Sequence, residues 1–188
     1  MGATNARHYM QVRLIDQSNN RPWDPKAWET INDSLRGGSS TSYLSAIDAD
    51  PSAVYFHGHL DTTTLGGAGF ASQQHTCDSW DLSAHDGLLL ELGALPAGAD
   101  DHGCKRYTVT LKNQVTPRGE NGRSRSTLTW QAEFEHPPGA APSEVWLPWE
   151  SFKPTYRGRP VDGAPAAAAA AAPLDLHDVK RVGIMMRR

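Results

Sequence analysis

The sequence is poor in cysteine, in long apolar runs and in net charge, and each shortage excludes a class of protein. Its two cysteines, Cys77 and Cys104, do not make a disulfide framework. No apolar run approaches the ~20 residues that span a bilayer. The longest, residues 87–95, is interrupted by Glu91 and is typical of a buried strand. With 18 basic and 21 acidic residues, the net charge of −3 indicates neither a nucleic-acid partner nor an anionic membrane.

Motifs of catalytic sites are missing as well. The chain has no Gly-x-Ser-x-Gly segment, and neither cysteine has the neighbours expected of a thiol protease. A glycosidase would need two carboxylates facing each other across a cleft. Five acids could supply such a pair, but any domain of this size offers acid pairs by chance. They are Asp61, Asp78, Asp81, Asp86 and Glu91. We predict no catalytic residue, no hydrolase activity and no cofactor.

Two groups of residues have the side chains of a metal site. His57 and His59 would share one face of a strand, with Asp61 next along it. Successive residues of one face lie ~7 Å apart, so a tight site would need ligands from elsewhere, and we favour solvent-facing histidines. Two His-x-Cys pairs, residues 75–77 and 102–104, lack the Cys-x2-Cys spacing of zinc sites. We predict no stoichiometric metal.

What the sequence has is a series of short alternating segments between turn residues, which predicts an all-β fold of about eight strands with one helix, a two-sheet jelly roll. Leu88-Leu89-Leu90 is apolar on both faces, which predicts a central strand. The predicted strands are residues 42–47, 53–61, 69–74, 87–95, 106–112, 127–135, 144–147 and 179–186. Period-two spacing predicts a core made of Val54, Phe56, Leu60, Phe70, Leu88, Leu90, Val109, Leu111, Phe134 and Val145.

A short helix is predicted from Trp23 onward. Asp24 is a suitable N-cap, and Pro25 suits the first helical turn. Trp28 and Ile31 would then share one face of the helix at i, i+3 spacing.

The first 22 residues are polar and are treated as an uncertain extension, in which residues 9–15 could form a strand. Two cysteines without a secretory hydrophobic region indicate a reducing compartment. The early bases Arg7, His8 and Arg13 faintly resemble a mitochondrial transit peptide, but the segment is short and poor in serine. The seven alanines of residues 166–172 indicate a low-complexity linker.

The remaining stretch, residues 32–44, joins an acid, an arginine and two adjacent glycines to a run of small hydroxylated residues. Adjacent glycines permit either φ > 0 or a close backbone approach. The plainest interpretation is a helix-to-strand connection, in which Asn32 and Asp33 end the helix and Gly37-Gly38 turns the corner.

Resemblance supplies a second interpretation of this stretch. Trp28, Asn32-Asp33 and the run from Arg36 to Ser39 resemble the opening signature of the complex I intermediate-associated protein family, the thirty-kilodalton assembly factor. Further pieces follow in the family's order over residues 23–188: residues 67–72, 80–83, 86–88, 106–107, 149–155, 156–159 and 182–186. The chain is most similar to the short, single-domain fungal branch.

The resemblance implies a single galactose-binding-like jelly-roll domain over residues 23–188. It also implies a non-enzymatic assembly or interaction factor that acts on subunits or intermediates of mitochondrial respiratory complex I. The alternative function is a carbohydrate or small-molecule binding module, because this scaffold is widely used to hold glycans. The mitochondrion is the implied location, with the cytoplasm as the alternative.

The candidate binding residues are polar groups near the glycines and in a later Tyr-Arg-Gly-Arg segment, together with aromatic side chains that could form a glycan platform. Arginine offers a planar fork for carboxylates and phosphates. The structural alternative is an ion pair that pins two loops, for example Arg157 or Arg36 with Asp33. The polar candidates are Asp33, Arg36, Arg157 and Arg159, and the platform candidates are Trp130, Trp146, Tyr156 and Gln131.

Family members usually continue past the position of Met186 into one further strand. The resemblance therefore implies that the terminal strand lacks a partner here and exposes a sheet edge. A rival expectation is that residues 9–15 fill the vacant place.

Overall fold

Short antiparallel strands form most of the chain. The computed structural model describes residues 7–14, 24–64, 69–93, 106–117, 119–120, 124–136, 141–161 and 173–187. The twelve strands in these ranges are β1 (Arg7–Leu14), β2 (Trp28–Asn32), β3 (Thr41–Ala46), β4 (Val54–His59), β5 (Phe70–Trp80), β6 (Gly87–Gly93), β7 (Arg106–Lys112), β8 (Thr129–Glu135), β9 (Ser143–Pro148), β10 (Lys153–Tyr156), β11 (Arg159–Pro160) and β12 (Val179–Arg187). Single 3₁₀ turns lie at Pro25–Ala27, Asp33–Arg36 and Trp149–Ser151.

The strands form two sheets. One has five strands in the order β3-β4-β1-β6-β9, and the other has seven in the order β11-β10-β8-β7-β12-β5-β2. Within each sheet, every pair of neighbouring strands is antiparallel. The predicted all-β sandwich is therefore confirmed, and β6 is an interior strand, as the triple leucine predicts.

The core lies between the sheets and mixes side chains from both. The Phe56 ring of the five-stranded sheet meets Tyr107 of the other edge-on, at 6.5 Å between centroids, and Tyr107 stacks on Phe134 at 5.6 Å. Such offset or edge-on pairs add to the area that they bury. Of the ten predicted core residues, Phe70, Leu88 and Val145 are only partly buried, and the other seven are buried.

The predicted helix after Trp23 is wrong. Asp24 does cap a turn, since its carboxylate accepts a hydrogen bond from Lys26 N, but the 3₁₀ turn ends at Ala27. Trp28–Asn32 is instead a strand paired with β5. A short isolated helix is marginal in water, whereas aromatic and β-branched residues suit a half-buried strand. Asn32 consequently ends a strand rather than a helix.

The expected unpaired edge at the end of the chain is also wrong. Strand β12 lies between β7 and β5, and residues Arg181 to Arg187 have a partner on both sides. The strand predicted at residues 9–15 is present as β1, but it pairs with β4 and β6 in the other sheet. Long-range pairing of this kind leaves no local signal in the sequence.

Two predictions fall on residues outside the described ranges, namely the alanine linker and the second His-x-Cys pair. Within those ranges, no helix is long and apolar enough to cross a membrane.

A two-residue turn, Arg157-Gly158, joins β10 to β11, with Tyr156 opposite Arg159. Both turn residues have positive φ, 53° and 76°. These are the signs of a type I′ turn, whose twist matches that of the flanking strands. The Tyr-Arg-Gly-Arg segment is thus a tight hairpin whose second turn position favours glycine or asparagine.

Replacing Gly158 tests this turn. Gly158→Ala should cost about 1 kcal/mol, since an L side chain strains the left-handed conformation, and the melting temperature should fall by about 2–4 °C. The control Gly158→Asn should be close to neutral, because asparagine tolerates this region. Equal melting temperatures for all three proteins would show that the hairpin is not formed.

Candidate functional site

Asp33 lies at the centre of the family-like segment and is 1% exposed. Its Oδ1 accepts a hydrogen bond from Ser40 N at 3.0 Å, and its Oδ2 accepts bonds from Ser40 Oγ at 2.6 Å and from Phe70 N at 3.2 Å. A buried carboxylate is tolerated only when such donors replace water. Asp33 therefore holds its own loop against the start of β5.

Asp61 lies in the loop after β4 and is 3% exposed. Its Oδ2 accepts bonds from Ser39 N at 3.1 Å and Ser39 Oγ at 2.9 Å. Thr63 and Thr64 donate both their backbone N–H groups and their hydroxyls to the same carboxylate. Hydrogen bonds from Thr64 and Thr63 hold the pKa of Asp61 well below its usual range.

Ser40 joins the two acids. Its hydroxyl donates to Asp33 and accepts a bond from Asp61 N at 2.9 Å. We call the group of Asp33, Ser39, Ser40 and Asp61 the carboxylate clamp. It ties the loop that follows β2 to the loop that follows β4, and hence one sheet to the other.

The two glycines of this segment serve different needs. Gly37 has φ +88°, which an L side chain rarely adopts. Gly38 lies so close to the clamp that a Cβ there would stand 2.3 Å from Asp33 Cγ. The sequence allowed either positive φ or close approach, and the structure uses one glycine for each.

A second polar group extends the connection between the sheets. Asn32 Oδ1 accepts bonds from Ser42 Oγ at 2.9 Å and from Ser72 N at 3.1 Å. The Gln73 amide, 4% exposed, donates to Ser42 O at 2.8 Å and to Thr30 Oγ1 at 2.7 Å. These bonds connect β3, at the edge of the five-stranded sheet, with β2 and β5 of the seven-stranded sheet.

The suggested ion pair between Arg157 and Asp33 is wrong. Among the described residues, the Asp33 carboxylate accepts hydrogen bonds from Ser40 and Phe70 alone. Arg157 follows β10, which lies five strand spacings from β2, or about 24 Å along the sheet. Arg36 is the last residue of the 3₁₀ turn that begins at Asp33.

The β10–β11 hairpin presents the other predicted polar residues. The Arg157 guanidinium lies 5.4 Å from the centre of the Tyr156 ring, within the range of a cation–π contact. Arg157 and Arg159 are exposed, and Tyr156 is half-buried. The hairpin thus carries two arginines on a rigid turn at one edge of the sandwich.

The predicted aromatic platform is divided between the core and the surface. Trp130 is partly buried and packs against the core, opposite Pro154. Gln131, its neighbour on β8, points the other way and is half-buried. Trp146 on β9 is 51% exposed, so of the platform candidates it is the one most open to a ligand.

Sequence reasoning missed an exposed aromatic residue, Tyr43, which is 54% exposed. Its ring stacks on His57 at 5.5 Å, and His57 Nε2 lies 2.8 Å from Ser45 Oγ. Strand register places Tyr43, His57 and Trp146 on the same outer face of the five-stranded sheet. The alternation of inward and outward side chains along β3, with Ser42 and Leu44 turned inward, could have predicted that Tyr43 faces outward. We call Tyr43, His57 and Trp146 the aromatic face.

The described ranges hold no group of three or more histidine, cysteine, aspartate or glutamate residues that could bind a metal. Asp61 turns into the clamp, away from the two histidines of β4. His75 stacks on Trp80 at 5.5 Å and meets the tilted ring of Trp28 at 5.7 Å, and its Nδ1 lies 2.9 Å from Ala27 O. The absence of a bound zinc stays a prediction.

The carboxylate clamp should make part of the free energy of unfolding sensitive to acid. Because the folded pKa of Asp61 is depressed, its contribution is full above the unfolded pKa of about 4 and is lost as pH falls below it. Asp61→Asn should therefore have a melting temperature well below that of the wild type at pH 7. This difference in melting temperature should narrow steadily from about pH 4 to pH 2. Thermal melts across this range measure it.

Asp81→Asn is the control, since Asp81 is exposed and also accepts bonds from a nearby serine, Ser83. At pH 7 the melting temperature of Asp81→Asn should lie much closer to that of the wild type, because exposed hydrogen bonds exchange with water at little cost. If the melting temperature of Asp61→Asn lies below that of the wild type by the same amount at every pH, the carboxylate of Asp61 does not stabilise the fold through its charge.

Known proteins resemble this chain in fold and in sequence. A family 11 carbohydrate-binding module from Clostridium thermocellum, solved in complex with a β-1,3-1,4-mixed-linked tetrasaccharide, has a TM-score of 0.52 at 11% identity; the match covers 95% of this chain and 87% of that one. At this identity the likeness shows the fold alone, a jelly-roll β-sandwich.

In sequence, the chain is 35% identical to an uncharacterized protein of Schizosaccharomyces pombe over 169 residues, which are 88% of this chain and 70% of that protein. The family model described as complex I intermediate-associated protein 30 (CIA30) matches residues 15–188. The resemblance found in the motifs is thereby confirmed, and the chain belongs to the complex I intermediate-associated protein 30 family.

Proposed function

We propose that this protein is a non-enzymatic assembly factor that binds subunits or intermediates of respiratory complex I in mitochondria. The observation that carries the proposal is the family match, which runs over residues 15–188 and so includes both the carboxylate clamp and the hairpin. The name of the family associates its members with complex I intermediates, and we extend that association to this chain.

The hairpin is the surface that we propose for the partner. Arg157 and Arg159 are exposed on a turn whose backbone is fixed, so little conformational freedom is lost when they bind. Arginine and tyrosine are enriched at protein interfaces, and a guanidinium fork suits the carboxylates of an acidic partner. Tyr156 supplies the aromatic support beneath Arg157.

The other predicted binding residues would act indirectly. Asp33 is buried, and both its oxygens accept bonds from the chain itself, so it would affect binding through the loop that it holds. Trp130 lies under the β10 end of the sheet and would support the hairpin from the core. Arg36, beside the glycines, stays a candidate for direct contact.

Deleting the gene tests the proposal. In the source organism, we expect the loss of assembled complex I and the accumulation of its subassemblies on native gels. Wild-type protein should restore assembly, and it should co-fractionate with mitochondria. A double charge reversal, Arg157→Glu with Arg159→Glu, should fail to restore assembly although the variant is folded, because like charges then face an acidic partner.

Arg125→Glu is the matched control, since Arg125 is exposed and lies outside the hairpin. It should restore assembly fully. Normal complex I in the deletion strain would contradict the proposed function. Rescue by the double reversal would contradict the hairpin as the binding surface and leave the function standing.

A glycan-binding role is the second candidate, and the aromatic face favours it. Tyr43 and Trp146 are half exposed and lie on opposite edge strands, about 19 Å apart across the sheet and, by the strand register, about 20 Å apart along the strands. Aromatic platforms beside polar groups suit sugar rings. Retardation of the protein on mixed-linked β-glucan gels, lost in Trp146→Ala, together with normal complex I in the deletion strain, would establish this candidate instead.

A further inference from the structure

Two lysines of the described ranges are half-buried, Lys112 at the end of β7 and Lys180 on β12, and they are held differently. Lys180 Nζ forms an ion pair with Asp178 Oδ1 at 2.7 Å and donates to Asp78 O at 2.7 Å. Lys112 Nζ donates to Thr127 Oγ1 at 3.2 Å, and it forms no ion pair with an acid in the part of the chain that the structure describes. Lys112 therefore lacks the carboxylate that accompanies Lys180.

The Thr127 hydroxyl can act toward Lys112 only as an acceptor. Its single proton is already donated to Gln114 O, at 2.8 Å. A neutral amine keeps the bond to Thr127 through one N–H and leaves its lone pair unbound, whereas a half-buried ammonium finds no negative partner there. The arrangement thus suits the uncharged amine, which is the nucleophilic form of lysine.

The surrounding charges are consistent with this geometry. Burial, with a smaller contribution from the charge of Arg181, lowers the pKa of Lys112 to about 8. Arg181 lies opposite Lys112 on β12, but its Nε donates to Thr76 Oγ1 on the far side of that strand. Glu120 is the one acid of residues 113–126, and it forms no ion pair with Lys112. Near pH 8 about half of the Lys112 side chains are therefore neutral.

The segment between Lys112 and Thr127 is basic. Residues 113–126 contain three arginines against one glutamate. Thr116 Oγ1 donates to Arg125 O at 3.0 Å, so the two ends of the segment are joined close to Lys112. Coenzyme A thioesters and acyl phosphates, which carry activated acyl groups, are anions. A basic segment beside the amine raises the local concentration of such carriers.

We propose that Lys112 is an acylation site, at which Nζ accepts an activated acyl group from a thioester or an acyl phosphate. Nζ attacks the carbonyl carbon, the C–S or C–O bond to the carrier breaks, and the thiolate or phosphate leaves with the bonding electrons. Nζ releases one proton to water. The amide that forms retains an N–H for Thr127 Oγ1, and its neutrality removes the cost of a half-buried charge. The site is independent of the proposed function in complex I assembly.

Peptide mass spectrometry of the folded, full-length protein tests the site. Acetyl-coenzyme A represents the thioester source and acetyl phosphate the acyl phosphate source, each at pH 8. With at least one of them, Lys112 should be acetylated about tenfold faster than the ion-paired Lys180 and the exposed Lys26.

A matched pair of variants tests the role of the neutral partner. Thr127→Asp places a carboxylate beside Lys112 and should slow acetylation there about tenfold, because an adjacent negative charge favours the ammonium form. Thr127→Asn has the same shape without the charge and should leave the rate within roughly twofold. Melting curves check that both variants are folded.

A second readout uses the wild-type protein, so it does not depend on the folding of a variant. The acetylation rate of Lys112 should level off above about pH 8, whereas an ordinary lysine gains reactivity to above about pH 10. A Lys112 rate no higher than that of Lys26 with either donor, equal rates in the two Thr127 variants, or a Lys112 rate that still rises above about pH 9 would each overturn the proposal.

Discussion

The fold depends on two buried aspartates that one serine connects, through the carboxylate of Asp33 and the backbone N–H of Asp61. Asp33 and Asp61 lie in loops that follow strands of different sheets, and the Ser40 hydroxyl bonds to both loops. Each acid is almost fully buried and accepts several hydrogen bonds, so its desolvation is offset only while both loops keep their places. Hydrophobic packing holds the two sheets together over their area, but this clamp fixes how they meet at the β2–β3 edge.

The clamp also explains the most distinctive part of the sequence. The segment from Asn32 to Ser40 carries the opening motif of the resemblance, and four of its side chains make bonds that connect the two sheets, namely Asn32, Asp33, Ser39 and Ser40. Gly38 leaves room for the Asp33 carboxylate, and Gly37 supplies a backbone conformation that side chains disfavour. A signature of this kind preserves architecture, and the surfaces proposed for recognition, the hairpin and the aromatic face, lie elsewhere on the sandwich.

Sequence alone predicts the parts of this structure that depend on local pattern. Period-two alternation gives most strands and seven buried core residues, because a sandwich strand must turn alternate side chains inward. It fails at Trp28, where the capping signals of Asp24 and Pro25 suit a 3₁₀ turn as well as a helix. The place of β1 and the role of Asp61 depend on strands distant in the chain, which no local pattern encodes.

The most direct test of the central claim is a double-mutant cycle on the two acids, measured by urea denaturation. The single variants Asp33→Asn and Asp61→Asn each remove one side of the clamp, and the double variant removes both. Because the adjacent residues Ser39 and Ser40 bond to the Asp61 and Asp33 carboxylates respectively, the second substitution should cost less than it does alone, with a coupling energy above about 0.5 kcal/mol. Additive losses, within ~0.3 kcal/mol, would mean that the carboxylates act independently and that the two sheets are not held through a shared clamp.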